Sequence, residues 1–435
     1  MSKNIKIVLI GAGSLTFGLG TVGTIIASEI LEGSTICLHD INAENLKLVH
    51  KACESAINQN EVDFILESTI NRPEALKNAN YIINSIEIGP RFELLDLDYK
   101  VPLQHGCKQV CGENGGPGGL FHGLRVIPPI LDICEDIQKI CPNALLLNYS
   151  NPVTRICLAI KRKFPTLKTV GLCHEYYHFI PFLSKILNTP EKDLDVKGYG
   201  MNHFGVITEC KYKETGKDAY PDIRKKGPQY LYNVNAYDGF KFIAFFLEKY
   251  GYLPYTTDSH YGEYIPWAWE KADIAAIRQF VSGYEKLMSR TYEKLQKTIK
   301  KGKGARLVKP EHEPAIPIIE GIQTDSNYVE PSVNIPNDGI ITNLPQDIVI
   351  ECPALINKDG IHGIKLGEYP FELVSYLQTQ ASIMDLALES IFQESRDLAL
   401  KAILADPLIS TYGQAEKIFN DLYTLEEEYI QIELE

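Results

Sequence analysis

Along the first 170 residues, short apolar runs alternate with longer stretches of helical spacing. Ile5 to Ile10 (IKIVLI) is a β-branched run that ends in Gly11-Ala12-Gly13-Ser14. A helical stretch over Gly18 to Leu31 follows, then a second strand, Ser34 to His39, ending at Asp40. This is the pattern of a βαβ unit. Ala43 to Asn58 reads as a helix, Glu67 to Ile70 as a strand end, and Tyr81 to Ile86 as a buried strand. Ile127 to Ile140 has helical spacing, and Ala144 to Leu147 is a further apolar strand ending at Asn148. Strands and helices in alternation predict a parallel, doubly wound sheet.

The pattern changes after residue 170. Val196 to Lys213 alternates like an antiparallel strand and turns at Thr215-Gly216-Lys217. Asp218 to Tyr237, rich in Pro, Gly, Lys and Tyr, reads as a mobile surface loop. Helical segments follow near Phe240–Tyr250 and Ala272–Lys301, a strand at Ile341–Cys352, and a long amphipathic helical stretch at Phe371–Leu404. The fold class is therefore α/β: a Rossmann domain over 1–170 and an α+β domain over 171–435. No flexible linker separates them.

Composition narrows the partners. The chain has 435 residues and a net charge of −13, which argues against nucleic acid or an anionic membrane. No apolar stretch approaches the ~18–20 residues of a membrane span. Met1-Ser2-Lys3-Asn4 runs into the first strand without the features of a signal peptide. The ten cysteines are scattered, so buried free thiols and a cytoplasmic setting are expected. The basic run Lys300–Lys309 reads as a solvated face.

In a dinucleotide fingerprint the first glycine permits a tight turn, and the second lets the backbone approach a pyrophosphate. Gly11 and Gly13 fill those places, Thr16 takes the third, and Ser14 lies within the turn. Asp40 stands where a carboxylate accepts hydrogen bonds from ribose hydroxyls and repels a 2′-phosphate, which favours NAD over NADP. An ordinary βα turn with Asp40 as a helix cap is the plain alternative.

Gly171-Leu172-Cys173-His174-Glu175 and Gly200-Met201-Asn202-His203-Phe204 place a soft thiolate and an imidazole on separate segments. Such a pair suits a divalent cation whose remaining positions stay open to substrate oxygens. Each motif alone is more often structural; their shared placement after apolar strands favours a site, with Mn²⁺ as the expected ion. Asn148 to Val153 lies at the carboxyl end of a strand, where such sheets bind ligands, or forms an Asx turn. The glycine loop 112–119 (GENGGPGG) could close over a ligand, with Glu113 as a polar contact. Asp258, in Thr257-Asp258-Ser259-His260-Tyr261, is by itself a cap or turn residue.

Taken together, these motifs resemble glycoside hydrolase family 4, the NAD- and metal-dependent glycosidases, nearly end to end. The segments Asn334–Leu344 and Gly367-Glu368-Tyr369-Pro370 share in the likeness. The resemblance implies a Rossmann domain followed by a domain like that of lactate and malate dehydrogenases, assembled as a homodimer or homotetramer. It also implies that NAD⁺ takes a hydride from C3 of the sugar, after which a base removes the C2 proton. The C1 leaving group then departs by elimination, water adds, and the hydride returns. Enzymes of this kind stand outside the two-carboxylate scheme of glycoside hydrolysis. By correspondence the metal ligands are Cys173 and His203, the nucleotide contacts Gly11, Gly13, Ser14, Asp40 and Asn148, and the sugar contacts Asn151, His174, Glu175 and Asn202. Asp258 corresponds to the base of α-acting members, although Ser259 replaces a common Arg; Tyr261 is the reserve.

In this family the residue after Cys-His tracks the sugar. Glu175 points to an α-D-galacturonide, with Arg91 or His178 as the cation that would meet the uronate, although Tyr176 departs from the usual next residue. An α-glucuronide, an α-galactoside and a 6-phospho-α-glucoside are the alternatives within the family. Outside it stand a 2-hydroxyacid dehydrogenase, which needs no thiolate ligand, and a non-catalytic NAD- or sugar-responsive protein.

Overall fold

The computed structural model describes residues 5–15, 17–234 and 239–435; Met1 to Asn4 and Thr16 lie outside them. Twelve strands form one sheet: β1 (Lys6–Ile10), β2 (Thr35–His39), β3 (Ile65–Thr69), β4 (Tyr81–Asn84), β5 (Leu145–Asn148), β6 (Lys168–Gly171), β7 (Leu194–Met201), β8 (Phe204–Tyr212), β9 (Leu253–Pro254), β10 (Tyr328–Pro336), β11 (Val349–Asn357) and β12 (Gly360–Gly363). Their order is β3-β2-β1-β4-β5-β6-β10-β11-β7-β8-β9, with β12 on β11. The first six are parallel in the 3-2-1-4-5-6 order of a Rossmann sheet. All four residues of β4 are buried, and at least four of the five in β1, as a strand covered by helices on both faces must be. The edge strand β3 is largely exposed.

The pattern change at residue 170 coincides with the end of β6, yet the sheet runs straight across it. Antiparallel β10 pairs with β6 at Asn334 and Gly171, and β11 pairs with β7 at Glu351 and Gly200. Helices 371–392, 396–405 and 412–426 return to pack on the first half, against helices Arg91–Gln104 and Gly116–Ile140. Residues 371–426 thus belong in space with the nucleotide-type unit as much as with the second one.

Four local expectations are corrected. Tyr220 to Asn233 is a helix, not a loop, with Pro221 in its first turn, where a missing N–H costs nothing; the end of the predicted loop, 235–238, lies outside the described residues. Helix Gly116–Ile140 begins eleven residues before the spacing suggested, because Gly116 to Gly119 form its first turn. The strand predicted at 341–352 is β11, which starts at Val349; the residues before it turn back, with Asn337 accepting from the Ile341 N–H. The long stretch 371–404 breaks at Glu394, which adopts φ 52°.

One buried ion cluster fastens the C-terminal helix to the first half. Arg125, on helix Gly116–Ile140, bonds Asp98 at 2.6 Å and also contacts Glu426 at the end of the last long helix. All three side chains are at most 3% exposed. Replacing Arg125 by Met should leave two carboxylates buried without a cation and lower stability by roughly 3–5 kcal/mol. Chemical denaturation of the full chain measures this.

Candidate active site

The expected site residues other than Asp258 and Tyr261, which form a short helical turn after β9, lie at or near the carboxyl end of the parallel strands or on the hairpin beside them. Cys173 follows β6, and Asn202-His203 is the two-residue tip between β7 and β8. His203 holds φ 128°, a conformation that L side chains rarely adopt and that costs of order 1–3 kcal/mol unless the surroundings fix it. Here they do. Its N–H donates to the Met201 carbonyl at 2.7 Å, and its Nδ1 lies 3.0 Å from the Asn114 amide. Behind the tip, Asn202 and Asn334 both donate to the buried Glu351 carboxylate, at 2.8 and 3.1 Å. The row of paired backbone that joins β6, β10, β11 and β7 therefore sets the spacing between the two motifs.

Cys173 Sγ lies 3.2 Å from His203 Nε2, a separation that two ligand bonds of about 2.1–2.3 Å to one cation span. Cys173 is also the one cysteine of the ten that is not buried. Its thiol is pushed well above its ordinary range by desolvation and then by Glu351 and Glu175, so a thiolate there calls for a cation. Burial, then the neighbouring His260, lowers His203 to about 3 and keeps it neutral, as a ligand must be. For Nε2 to offer a lone pair, Nδ1 must carry the proton, and the Asn114 amide must turn its oxygen toward it. The residues present fit a divalent metal.

Three further groups close around the pair. The His260 ring is centred 4.3 Å from that of His203, with Glu113 3.8 Å from its Nδ1 and Glu175 3.8 Å from its Nε2. Glu113, His203 and His260 bring ligand-type atoms within 4.8 Å of one another. Desolvation would raise Glu113, but Arg91, His260, His122 and His203 outweigh it and hold the carboxyl near 2. Arg91 is bonded to Glu113 at 3.0 Å, and Asn151, before the cis Pro152, reaches the same carboxylate at 3.4 Å. Glu175 accepts from the Thr256 hydroxyl at 2.5 Å.

Two cavities meet here. The first, about 830 Å³, is lined by Gly11, Ser14, Asp40, Tyr149, Asn151 and His174 among others, and is the dinucleotide-shaped space. Gly11 has φ 84°, and a Cβ there would lie 2.9 Å from the Ser85 carbonyl, so the turn requires glycine. Asp40 accepts from the Gly13 and Asn42 N–H groups at 2.7 and 2.8 Å while lining the cavity. His174 faces this side, stacked on Tyr149 and 3.3 Å from Glu313. The second cavity, about 860 Å³, has Glu175, Thr256 and His260 at one end and Phe179, Phe182, Phe240, Phe280 and Leu287 beyond. Among the described residues no Lys or Arg lines it.

Four of the expected site residues turn into the interior. Asp258 is fully buried, and its carboxylate accepts from the Phe242, Ile243 and Asp273 N–H groups at 3.0–3.1 Å. It anchors the start of helix Lys241–Tyr250, so backbone donors already occupy the lone pairs a base would use. Tyr261, the reserve, is buried among Phe204, Phe242 and Phe246. Asn148 does not line the cavity: its oxygen accepts from Asn84 at 2.9 Å and its amide donates to the Ser150 carbonyl at 3.0 Å. Asn202 is likewise buried and turned to Glu351 rather than to open space.

The residues that reasoning from sequence missed are Asn114, His260 as a facing group, Thr256 and Glu263. Both Glu263 oxygens accept from the loop: Oε1 from the Gly112 and Glu113 N–H groups, Oε2 from those of Asn114 and Gly115, all at 2.7–2.9 Å. A signal existed in the glycine loop itself. Five glycines in eight residues leave bare N–H groups that a buried loop must match with an acceptor.

Fold and site define a dinucleotide-type α/β protein with a close cysteine–histidine pair beyond the carboxyl end of β6. Residues 6–189 match the model of the family 4 glycosyl hydrolases, and residues 198–409 match the C-terminal domain of that family. The chain belongs to glycosyl hydrolase family 4. It is 42% identical to an α-glucosidase of Erwinia rhapontici, over 92% of this chain and 93% of that one. It is 27% identical to an α-galacturonidase of Thermoanaerobacter italicus, over 99% and 98%. The fold is that of a 6-phospho-α-glucosidase from gut microorganisms, solved in complex with NAD and Mn²⁺ (TM-score 0.86, 22% identity, 100% of each chain covered).

A Cβ at position 115 would lie 2.8 Å from both Glu263 Cβ and the Glu263 carbonyl oxygen. Gly115→Ala should therefore push the loop off its carboxylate and cost about 1–3 kcal/mol, read as a lower denaturation midpoint.

Proposed function

We propose that this chain is an NAD- and Mn²⁺-dependent α-glycosidase acting on a neutral sugar, glucose foremost. The observation that carries the sugar assignment is the charge of the cavity beside His260. Its wall is aromatic, its polar end carries Glu175, and it offers no lysine or arginine. A uronate or a 6-phosphate buried there would meet the imidazoles of His178 and His260 but no permanent cation, and a poorly paired buried anion is strongly disfavoured. Arg91, the arginine beside Glu113, is already held by it and faces Glu87 at 3.9 Å. The 42% identity to an α-glucosidase points the same way.

NAD⁺ would occupy the cavity at Gly11, Gly13 and Asp40, and the cation would sit on Cys173 Sγ and His203 Nε2. When bound, the two supply a hydride acceptor and a polarising charge on the sugar oxygens. The chain's own groups do the rest. Asn114 fixes the His203 ring through Nδ1. His260, between Glu113 and Glu175, is the group placed to take the C2 proton, in the role that the resemblance gave to Asp258. Glu175, held by Thr256, accepts from a sugar hydroxyl and sets the epimer. Asn151 and Glu113 line the adjoining first cavity, on the nucleotide side.

A second reading, an α-galacturonidase, is favoured by Glu175 directly after the Cys-His pair. A set of aryl α-glycosides separates the two. With NAD⁺, Mn²⁺ and a thiol reductant, aryl release should be fastest on the α-D-glucoside, require both cofactors and leave no net NADH. Faster release from the α-D-galacturonide would favour the second reading, and NADH growing in step with a hydroxyacid would favour a dehydrogenase. His260→Asn should lower kcat by about 10²–10⁴-fold and slow C2 hydrogen exchange, with NAD⁺ binding retained. Normal exchange in that variant would move the base elsewhere.

A further inference from the structure

We infer that Glu263 is a positioning residue of the metal centre: its carboxylate clamps the loop 112–115 so that Asn114 orients His203 and Glu113 meets His260. The inference rests on the reading of Cys173 and His203 as metal ligands.

The geometry is unusually complete. Four consecutive backbone N–H groups converge on one carboxylate, two on each oxygen, at 2.7–2.9 Å. Glu263 is fully buried, so no water competes for those donors. Other groups touch the loop, His122 at the Glu113 carbonyl (2.7 Å) and Arg91 at the Glu113 side chain (3.0 Å), but Glu263 takes all four of its N–H groups, and Gly112 and Gly116 adopt φ 154° and 65°, which favour glycine. Its only two residues with side chains are Glu113 and Asn114, and both turn into the site. Asn114 lies 3.0 Å from His203 Nδ1, on the nitrogen opposite the one facing Cys173. Glu113 lies 3.8 Å from His260 Nδ1.

Position in the chain gives the clamp its second function. Glu263 stands three residues after His260, in the short helical turn that follows it. One carboxylate therefore fixes the distance between the strip that carries His260 and the loop that carries Glu113 and Asn114. A ligand imidazole is set by whatever its second nitrogen bonds, and losing such a partner typically costs 10–100-fold in metal affinity. A glutamine at 263 has one acceptor oxygen. Two of the four N–H groups would then face an NH₂, and half the loop would be released.

The test measures Mn²⁺ and NAD⁺ separately on the full-length protein. Free Mn²⁺ is read by its electron paramagnetic resonance signal, NAD⁺ by calorimetry, and folding by a thermal melt. E263Q and N114A should each weaken Mn²⁺ binding by about 10–100-fold, while NAD⁺ affinity stays within about threefold. N114A leaves the clamp intact, so it decides the matter if E263Q fails to fold. A folded E263Q with wild-type Mn²⁺ affinity, or N114A with wild-type affinity, would overturn the inference while the metal reading stands. Wild-type protein that binds no Mn²⁺ would overturn both. A clamp that only stabilises the fold would lower the melting temperature of E263Q and leave Mn²⁺ affinity unchanged in both variants.

Discussion

A single buried carboxylate, Glu263, gathers four backbone N–H groups at the head of helix Gly116–Ile140, and the site is arranged around that contact. The start of a helix leaves its first N–H groups without intrahelical partners, and a negative charge there is also favoured by the helix dipole. A glycine-rich entry would otherwise leave those donors bare in the interior. Glu263 meets both needs from the opposite half of the chain. The contact that holds the loop leading into this helix therefore also sets where the second unit presents His260.

A second buried carboxylate, Glu351, does the corresponding work under the metal pair. It accepts from Asn202 and Asn334 on neighbouring strands, directly behind the hairpin tip that holds His203 at φ 128°. Backbone strain of that kind persists only where the surroundings leave no alternative. The two-residue tip between paired β7 and β8, the Asn202–Glu351 bond and the Asn114 contact supply that constraint from three directions. The strained residue is also the one whose ring must stay fixed against Cys173.

Much of the frame was legible from residue pattern. The β-branched run at Ile5–Ile10, its glycine turn and the strand ending at Asp40 reappear as the start of a 3-2-1-4-5-6 sheet. The Cys173–His203 pairing was legible because each residue follows an apolar strand, and those strands are joined through β10 and β11. What was not legible is direction. Asn148 and Asp258 have the right chemistry and the right neighbourhood, but their side chains turn inward to bond Asn84 and the head of helix Lys241–Tyr250. Sequence spacing places a residue at a strand end without saying which face of the loop it occupies. Long-range backbone contacts, such as those of Glu263 to residues 148 to 151 positions away, leave no local periodicity to read.

The same distinction bears on the turn that carries His260. Within Thr257-Asp258-Ser259-His260-Tyr261 the turn can present only one face to the cavity. Asp258 satisfies the N–H groups of Phe242 and Ile243 on one side, and Tyr261 fills an aromatic cluster. His260, between them, is left against the His203 ring and between two carboxylates. An aspartate turned outward would add a further anion to a space that already holds Glu113 and Glu175 and that no lysine or arginine lines on its apolar side. An imidazole there turns one ring nitrogen toward each carboxylate and adds no like charge to the space. A third carboxylate would meet like charge from both Glu113 and Glu175.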